Sequence, residues 1–524
     1  MELARMDPPG VELPKSCLLA IKPVVADSTN ATTATCQTEH PDDSRAISIQ
    51  VSLFVHRPPL ISYVVVWSTD ARVTEEPFIH GTHGGLILLS MDISMEECPL
   101  REYYIYQPGC GHGGAGTPSL NLVPQLRCLV RQPCAVGLLS HGDGGGYYVA
   151  LLTMQRKGEF ELSLFCSKME TWTVKKPVLS PEDQAAFLLD DGDFEPNKVI
   201  AVGGSVMAFV DLFKGILIGD VLEGSPQFLY IPLPATTEIS QPWTNYPLYT
   251  RDVSIDMSSG HIRIKFIELV CPLHLPAWAA TTWSTTTTAT SPWLQLEEWD
   301  THTILEARQL SVGDGVSTAG LLPEALQSEG KPDFGLLFIN LPMLSLHEDN
   351  IVCFLAKQHY LNKQAWVIAV DTVTKKLLGV HPFQMGRFTT LFYSTISSHL
   401  NISAAASGAK GDLEWLGTHR EQQGGVGAYD ADDKELEHVK PCLIYFNTDE
   451  CLHRFALCLS KFDCESFINI LVCTDPGLLL YGRKTTGIVF VHFLCIKRFQ
   501  YSYRSALILL ARTQSLSHWL FLLF

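Results

Sequence analysis

His80 and His83 stand three residues apart, the spacing at which two imidazoles on a helix share one face and can hold a metal ion. The run His80-Gly-Thr-His-Gly-Gly85 cannot hold a helix, so the two form at most a loop pair. Cys110 and His112, with His141 beyond the next strand region, offer a second set of soft ligands, but their Gly-rich flanks read as hairpin tips. Cys451, Cys458 and Cys464 with His453 are the densest of the fifteen cysteines, and no Cys-x-x-Cys occurs. Zinc modules take ligands in close pairs so that one turn supplies two, and these spacings match none of them; they read as buried thiols. A hydrolase elbow needs a serine between glycines on a strand-to-helix turn. Gly203-Gly-Ser205-Val-Met207 lacks the second glycine and leads into a strand. Asp190, Asp191, Asp193 and Glu195 crowd around Gly192, yet a calcium loop needs alternating ligands and a distal glutamate, so a solvated turn is expected. No phosphate cradle of the Gly-x-x-x-x-Gly-Lys-Ser/Thr type is present, and the Gly-rich pattern at Gly111 to Gly116 does not sit between a strand and a helix. No catalytic residue, cofactor ligand or metal ligand is therefore nominated.

The elements that must position such residues are strands. Ile47, Ile49, Val51 and Leu53 alternate with Ser48, Gln50 and Ser52, and Ile262, Ile264 and Phe266 alternate with Arg263 and Lys265. One buried face demands this period of two. Runs of similar length with Gly, Pro or Asp boundaries lie at 61–67, 85–89, 102–106, 147–153, 160–166, 198–202, 336–339, 351–355 and 366–370. Short helices are expected at Pro181 to Leu189, capped by Ser180, and at Leu321 to Gln327. The Thr-rich segment Thr281 to Thr290 reads as a strand and turn between Trp278 and Trp293. The expected fold is all-β with minor α. About 350 residues of strand and turn exceed one sandwich and fit a propeller-like array of short antiparallel sheets. No fixed repeat is visible, although Gly84-Gly85 and Gly203-Gly204 resemble the paired glycines of kelch blades.

Composition narrows the partners. The net charge of −17, with no concentrated basic stripe, argues against nucleic acid. Charged residues at 18% and hydrophobic ones at 46% suit sheets with much buried surface. Residues 1–16 lack the apolar run of a secretory signal, and no stretch reaches the ~18 apolar residues of a membrane helix, so a cytoplasmic or nuclear protein is expected and a membrane is not. The sequons at Asn30 and Asn401 are then not expected to be modified. The organisation expected is a tail at 1–17, an N-terminal β-rich part at 18–180, a second part of the same scaffold at 181–392, an acidic Gly-rich linker at 393–440 and an irregular hydrophobic C-terminal extension at 441–524.

One stretch identifies more than these. Phe209-Val-Asp-Leu-Phe-Lys-Gly-Ile-Leu-Ile-Gly-Asp-Val-Leu222, followed by Tyr230-Ile-Pro-Leu-Pro234, resembles the core of a large plant family, expanded in grasses, catalogued as domain of unknown function number sixteen-eighteen. Leu344 to Asp349, Val352 to Lys357, Trp366 to Asp371 and Gly379 to Phe383 resemble its later blocks in order, and Asn30 to Thr35, Ile49 to Phe54 and Pro58 to Tyr63 its opening. Some members of that family resemble the associated domains of F-box proteins, so the resemblance implies propeller-like sheets, and it supplies no catalytic residues. Asp211, Lys214 and Asp220 sit close together in the key stretch, but its alternation makes them polar groups at hairpin ends. A non-enzymatic protein-interaction module with a protein partner is expected. The alternatives are a hydrolase or glycan-handling enzyme using a propeller channel, and a protein tethered to a membrane by its C-terminal tail.

Overall fold

Ile47, Ile49, Val51 and Leu53 are all buried in strand Ala46–Phe54, so the alternation does select one face. Ser52, on the other face, is buried as well, because its hydroxyl meets that of Thr33 at 2.8 Å. The computed structural model describes residues 13–39, 46–73, 77–94, 100–109, 116–124, 136–141, 146–189, 194–234, 246–258, 261–271, 278–288, 298–314, 316, 327–328, 331–359, 362, 364–384, 390–400, 470–474, 478–485, 488–497 and 500–508. Two compact units divide it, residues 1–423 and 424–524.

The first unit is a six-bladed propeller of small, mainly antiparallel sheets. Four consecutive strands build a typical blade, as in the third, with Val136–His141, Gly146–Arg156, Glu159–Cys166 and Thr171–Lys175. The fourth blade runs Lys198–Gly203, Val206–Asp211, Gly215–Asp220 and Gln227–Pro232, with Val178–Leu179 added in parallel at its outer edge. The fifth comprises Arg251–Ser258, His261–Val270, Ala279–Thr288 and Asp300–Glu306. The sixth comprises Phe338–Leu344, Ile351–Lys357, Gln364–Asp371 and Lys376–Gln384, again with a parallel outer addition, Ser311–Val312. In the second blade, Phe78–His83 and Arg72–Val73 share the inner edge of Leu86–Ser94, and Leu100–Gln107 and Ser119–Leu122 lie outside it.

The first blade closes the ring. Its outer strands Ala34–Glu39, Ala46–Phe54 and Ile61–Ser68 come early in the chain, and its innermost strand, Leu391–Ser394, comes more than three hundred residues later. Between them Cys17–Ala20 pairs antiparallel with Leu391–Ser394 and parallel with Ile61–Ser62. Residues 393–400, expected to begin the linker, are packed instead: Ser394, Ile396, Ser397 and Leu400 are buried. The core is divided among the seams between blades, where apolar faces of adjacent sheets meet, as Ile267, Trp278 and Leu305 of the fifth blade meet Phe354, Trp366 and Ile368 of the sixth.

The helix at Pro181–Leu189 forms as expected. The Ser180 hydroxyl accepts from the Asp183 N–H at 3.0 Å and donates to the Asp183 carboxylate at 2.8 Å. The helix expected at Leu321 to Gln327 lies outside the described residues except for Gln327, which belongs to strand Gln327–Ser328. The second unit holds an antiparallel meander of Ile470–Thr474, Leu478–Thr485, Ile488–Lys497 and Gln500–Ile508 within the expected C-terminal extension.

Candidate functional site

Asp211 and Asp220 are neighbours in sequence but stand at opposite ends of one hairpin ladder, opposite Gly215 and Val206 respectively. Asp211 is buried and accepts from the N–H groups of Glu195 and Phe213, each at 2.9 Å; burial pushes its carboxyl up. Asp220 accepts from the Ser205 hydroxyl at 2.6 Å and the Leu222 N–H at 2.8 Å. Both carboxylates cap turns. Ser205, the elbow candidate, is thereby a hairpin-turn hydroxyl beside Gly204, whose φ of +59° suits the turn. A Cβ on Gly215 would lie 2.6 Å from the Ile231 carbonyl oxygen, and one on Gly219 2.6 Å from that of Gln227, so these two glycines serve close strand approach.

Polar groups bridge the seams between blades, and all but one of these bridges lie on or beside the six innermost strands. Thr82 and Ser394 share a hydroxyl bond of 2.8 Å between the second and first blades. His83 and Ser140 join the second and third blades. The exception is Lys175, on the outermost strand of the third blade, which reaches the carbonyls of Val221, Leu222 and Glu223 in the fourth at 2.8 to 2.9 Å. Lys198 of the fourth blade binds the Asp252 carboxylate and the Val253 carbonyl of the fifth, both at 2.8 Å. The other oxygen of Asp252 accepts from the Leu344 N–H of the sixth at 3.0 Å. Cys353 of the sixth meets the Tyr393 hydroxyl of the first at 3.2 Å, completing the circuit. A lone sequence carries no mark of pairs such as Lys198 with Asp252, which lie 54 residues apart. The strand beginning at Lys198 was readable, but its approach to Asp252 depends on ring closure.

The histidines are sent to separate partners. His80 bonds to Ser90 in its own blade at 2.9 Å, and burial, helped by Arg101, drops its pKa to about 3. His83 Nδ1 lies 2.8 Å from the Ser140 hydroxyl and also accepts the Ser140 backbone N–H at 3.0 Å. Burial, then the nearby His399, hold this imidazole below its usual range, so it is neutral with its proton on Nε2. A metal-binding imidazole normally donates through the nitrogen that does not bind the metal, and here that nitrogen accepts. Among the described residues no group of three or more His, Cys, Asp or Glu gathers as a metal site. Cys17, Cys36, Cys166, Cys271 and Cys353 are free thiols; burial pushes Cys17 up to about 11 and Cys271 and Cys353 up to about 12, which makes them poor nucleophiles. Cys110, His112, Asp190, Asp191, Asp193 and the Cys451 to Cys464 cluster lie outside the described residues, whereas His141 is exposed and stacks edge-on against Tyr148.

Aromatic residues emerge where the fourth blade leads into the fifth. Tyr246, 63% exposed, packs on Tyr249 with ring centres 5.7 Å apart, and the Arg251 guanidinium sits 5.4 Å over the exposed ring of Phe213. Two tryptophans of the fifth blade are used as braces: Trp299 donates to the Pro232 carbonyl at 3.0 Å and Trp278 to that of Phe334 at 2.9 Å.

The hairpin from Phe209 and the strands that follow it coincide with a known family profile. Residues 209–353 match the family described as Protein of unknown function (DUF1618). The resemblance drawn from the stretch Phe209 to Leu222 is thus borne out, from the second strand of the fourth blade through the fifth to the start of the sixth. The blocks before Phe209 and after Cys353 that also resemble DUF1618 lie outside the matched residues. No curated protein matches the sequence. Among solved structures, the catalytic domain of the Coprinopsis cinerea GH62 alpha-L-arabinofuranosidase aligns with 66% of this chain and 91% of its own, at 11% identity and a TM-score of 0.24. That likeness is too slight to bear on activity.

Proposed function

We propose that the protein is a non-enzymatic interaction scaffold that presents loops and strand edges of a six-bladed ring to another protein. The observation supporting this reading is the commitment of the central polar groups: His83, Ser140, Lys198 and Asp252 each bond across a seam to a neighbouring blade. A group held this way stabilises the ring and is not poised to exchange partners with a substrate. The exposed Tyr246 and Phe213 supply the kind of aromatic surface that anchors protein partners. Cross-linking mass spectrometry on tagged protein in its native cells tests the reading. One reproducible partner cross-linked to the ring is expected; no partner above background, together with turnover of a small substrate by purified protein, would overturn it.

His83 and Ser140 give a second reading a specific basis, since a serine hydroxyl 2.8 Å from a neutral imidazole is the start of a hydrolytic site. Against it, the one lone pair of Nδ1 is already shared with the Ser140 N–H. Ester or glycoside hydrolysis abolished by Ser140→Ala in a folded protein would favour this second reading. For the tethered reading, no helix among the described residues is long and apolar enough to cross a membrane, and the tail beyond residue 508 is not among them.

A further inference from the structure

The propeller completes its own blades in a recurrent way. In the fourth blade Val178–Leu179 lies parallel to Gln227–Phe228, the first two residues of the outermost strand. In the sixth, Ser311–Val312 lies parallel to Lys376–Leu377, again the first two residues of the outermost strand. The outermost strands of the first and second blades, Ala34–Glu39 and Ser119–Leu122, lie beside each other. Among the described residues four outermost strands pair on one side only; those of the first and second blades flank each other, which leaves Thr171–Lys175 and Asp300–Glu306. The first is engaged by side chains: Trp172 donates to the Pro124 carbonyl at 3.0 Å and Lys175 caps the fourth blade. Its flanks, Lys168 and Glu170, carry opposite charges and select no partner.

The edge of the fifth blade differs. Asp300 and Thr301 stand where the fourth and sixth blades receive their added strands, and both are exposed. Ile304 is 53% exposed on the same strand. Glu298 and Asp300 place two exposed carboxylates at this end, whereas Glu306 at the other end is paired with Arg308 at 2.5 Å. An unpaired strand edge offers N–H and C=O groups to an incoming chain, and the side chains beside it choose which chain. A second copy adding the same edge in parallel, as the fourth and sixth blades add theirs, would bring carboxylates against carboxylates, which is unfavourable in cross-strand positions. We propose that the edge at Asp300 to Ile304 is a strand-addition site for an extended, basic segment of a partner protein, which supplies the outer strand that the fourth and sixth blades obtain from their own chain. Lysine or arginine side chains of that segment meet Glu298 and Asp300, and an apolar one covers Ile304. The overall charge of −17 adds long-range attraction for such a segment.

This site rests on the interaction reading and is tested separately from it. The probe is a blocked fluorescent hexapeptide of alternating lysine and valine, titrated into the full chain and read by anisotropy, with a glutamate–valine peptide as control. Saturable binding of the lysine peptide alone is expected, weakened about tenfold by the double variant Glu298→Lys, Asp300→Lys. N-methylation of alternate peptide nitrogens, which leaves its charge intact, should abolish binding, and hydrogen exchange at residues 300–304 should slow in the complex. No saturable binding, equal binding of both peptides, or insensitivity to the charge reversal or to N-methylation would overturn the site. A partner cross-linked elsewhere on the ring would then leave the scaffold reading standing, whereas substrate turnover without a partner would remove both.

Discussion

Asp252 shows how one side chain can be worth more to the ring than its own strand suggests. It is buried, pairs with Lys198 of one neighbouring blade and accepts a backbone N–H from the other. Asp252→Ala leaves a largely buried ammonium without its partner, so it should cost about 3–5 kcal/mol in urea unfolding, whereas Asp252→Leu combined with Lys198→Met should cost less. Two half-buried histidines carry a pH dependence. His80 and His381, with pKa values of about 3 and about 4 set mainly by burial, stay neutral in the fold, while the unfolded chain binds protons near the ordinary value of 6.5. Their contribution is present in full above pH 6.5 and is lost as pH falls towards 4, at about 1.4 kcal/mol per unit for each histidine. Urea unfolding from pH 7.5 to 4.5 should show this loss, and His80→Gln should flatten it. None of these residues announces itself in the sequence, because a buried polar side chain on a strand looks like a solvated one until its partner in another blade is known.

At the scale of elements much more was legible. Period-two runs gave the strands around Ile47 and Ile262, turn-bounded runs gave those around Tyr147 and Trp366, and Ser180 with Pro181 marked the helix start where it is found. The hairpin from Phe209 to Asp220 was legible in its turn chemistry, with both aspartates capping turns. What stayed hidden is the reason for its glycines, which lies in the neighbouring strand. Gly215→Ala drives a Cβ onto the Ile231 carbonyl, so about 1–3 kcal/mol of destabilisation is expected. Gly224→Ala, which meets nothing within 4 Å, is the matched control and should leave the unfolding midpoint nearly unchanged. Comparing the two midpoints separates steric contact from loss of backbone freedom.

At the scale of the molecule, six blades were built without a repeat visible in the chain. Strand length is free outside the inner ring: the fifth blade has ten-residue strands at His261–Val270 and Ala279–Thr288, whereas the fourth makes do with six at Val206–Asp211 and Gly215–Asp220. Closure was equally hidden, since it joins Cys17–Ala20 to Leu391–Ser394 through a pairing with no local signal. Removing residues 1–20 should therefore leave the last inner strand without its partner, with a lower unfolding midpoint and new proteolytic cleavage between residues 391 and 400. The most direct measurement of whether the central polar groups brace the ring or perform chemistry is intact-mass and peptide analysis after treatment with a fluorophosphonate. A bracing His83–Ser140 pair predicts no adduct at Ser140 and a lower unfolding midpoint for His83→Gln; a stoichiometric Ser140 adduct, lost in a stably folded His83→Gln protein, would contradict it.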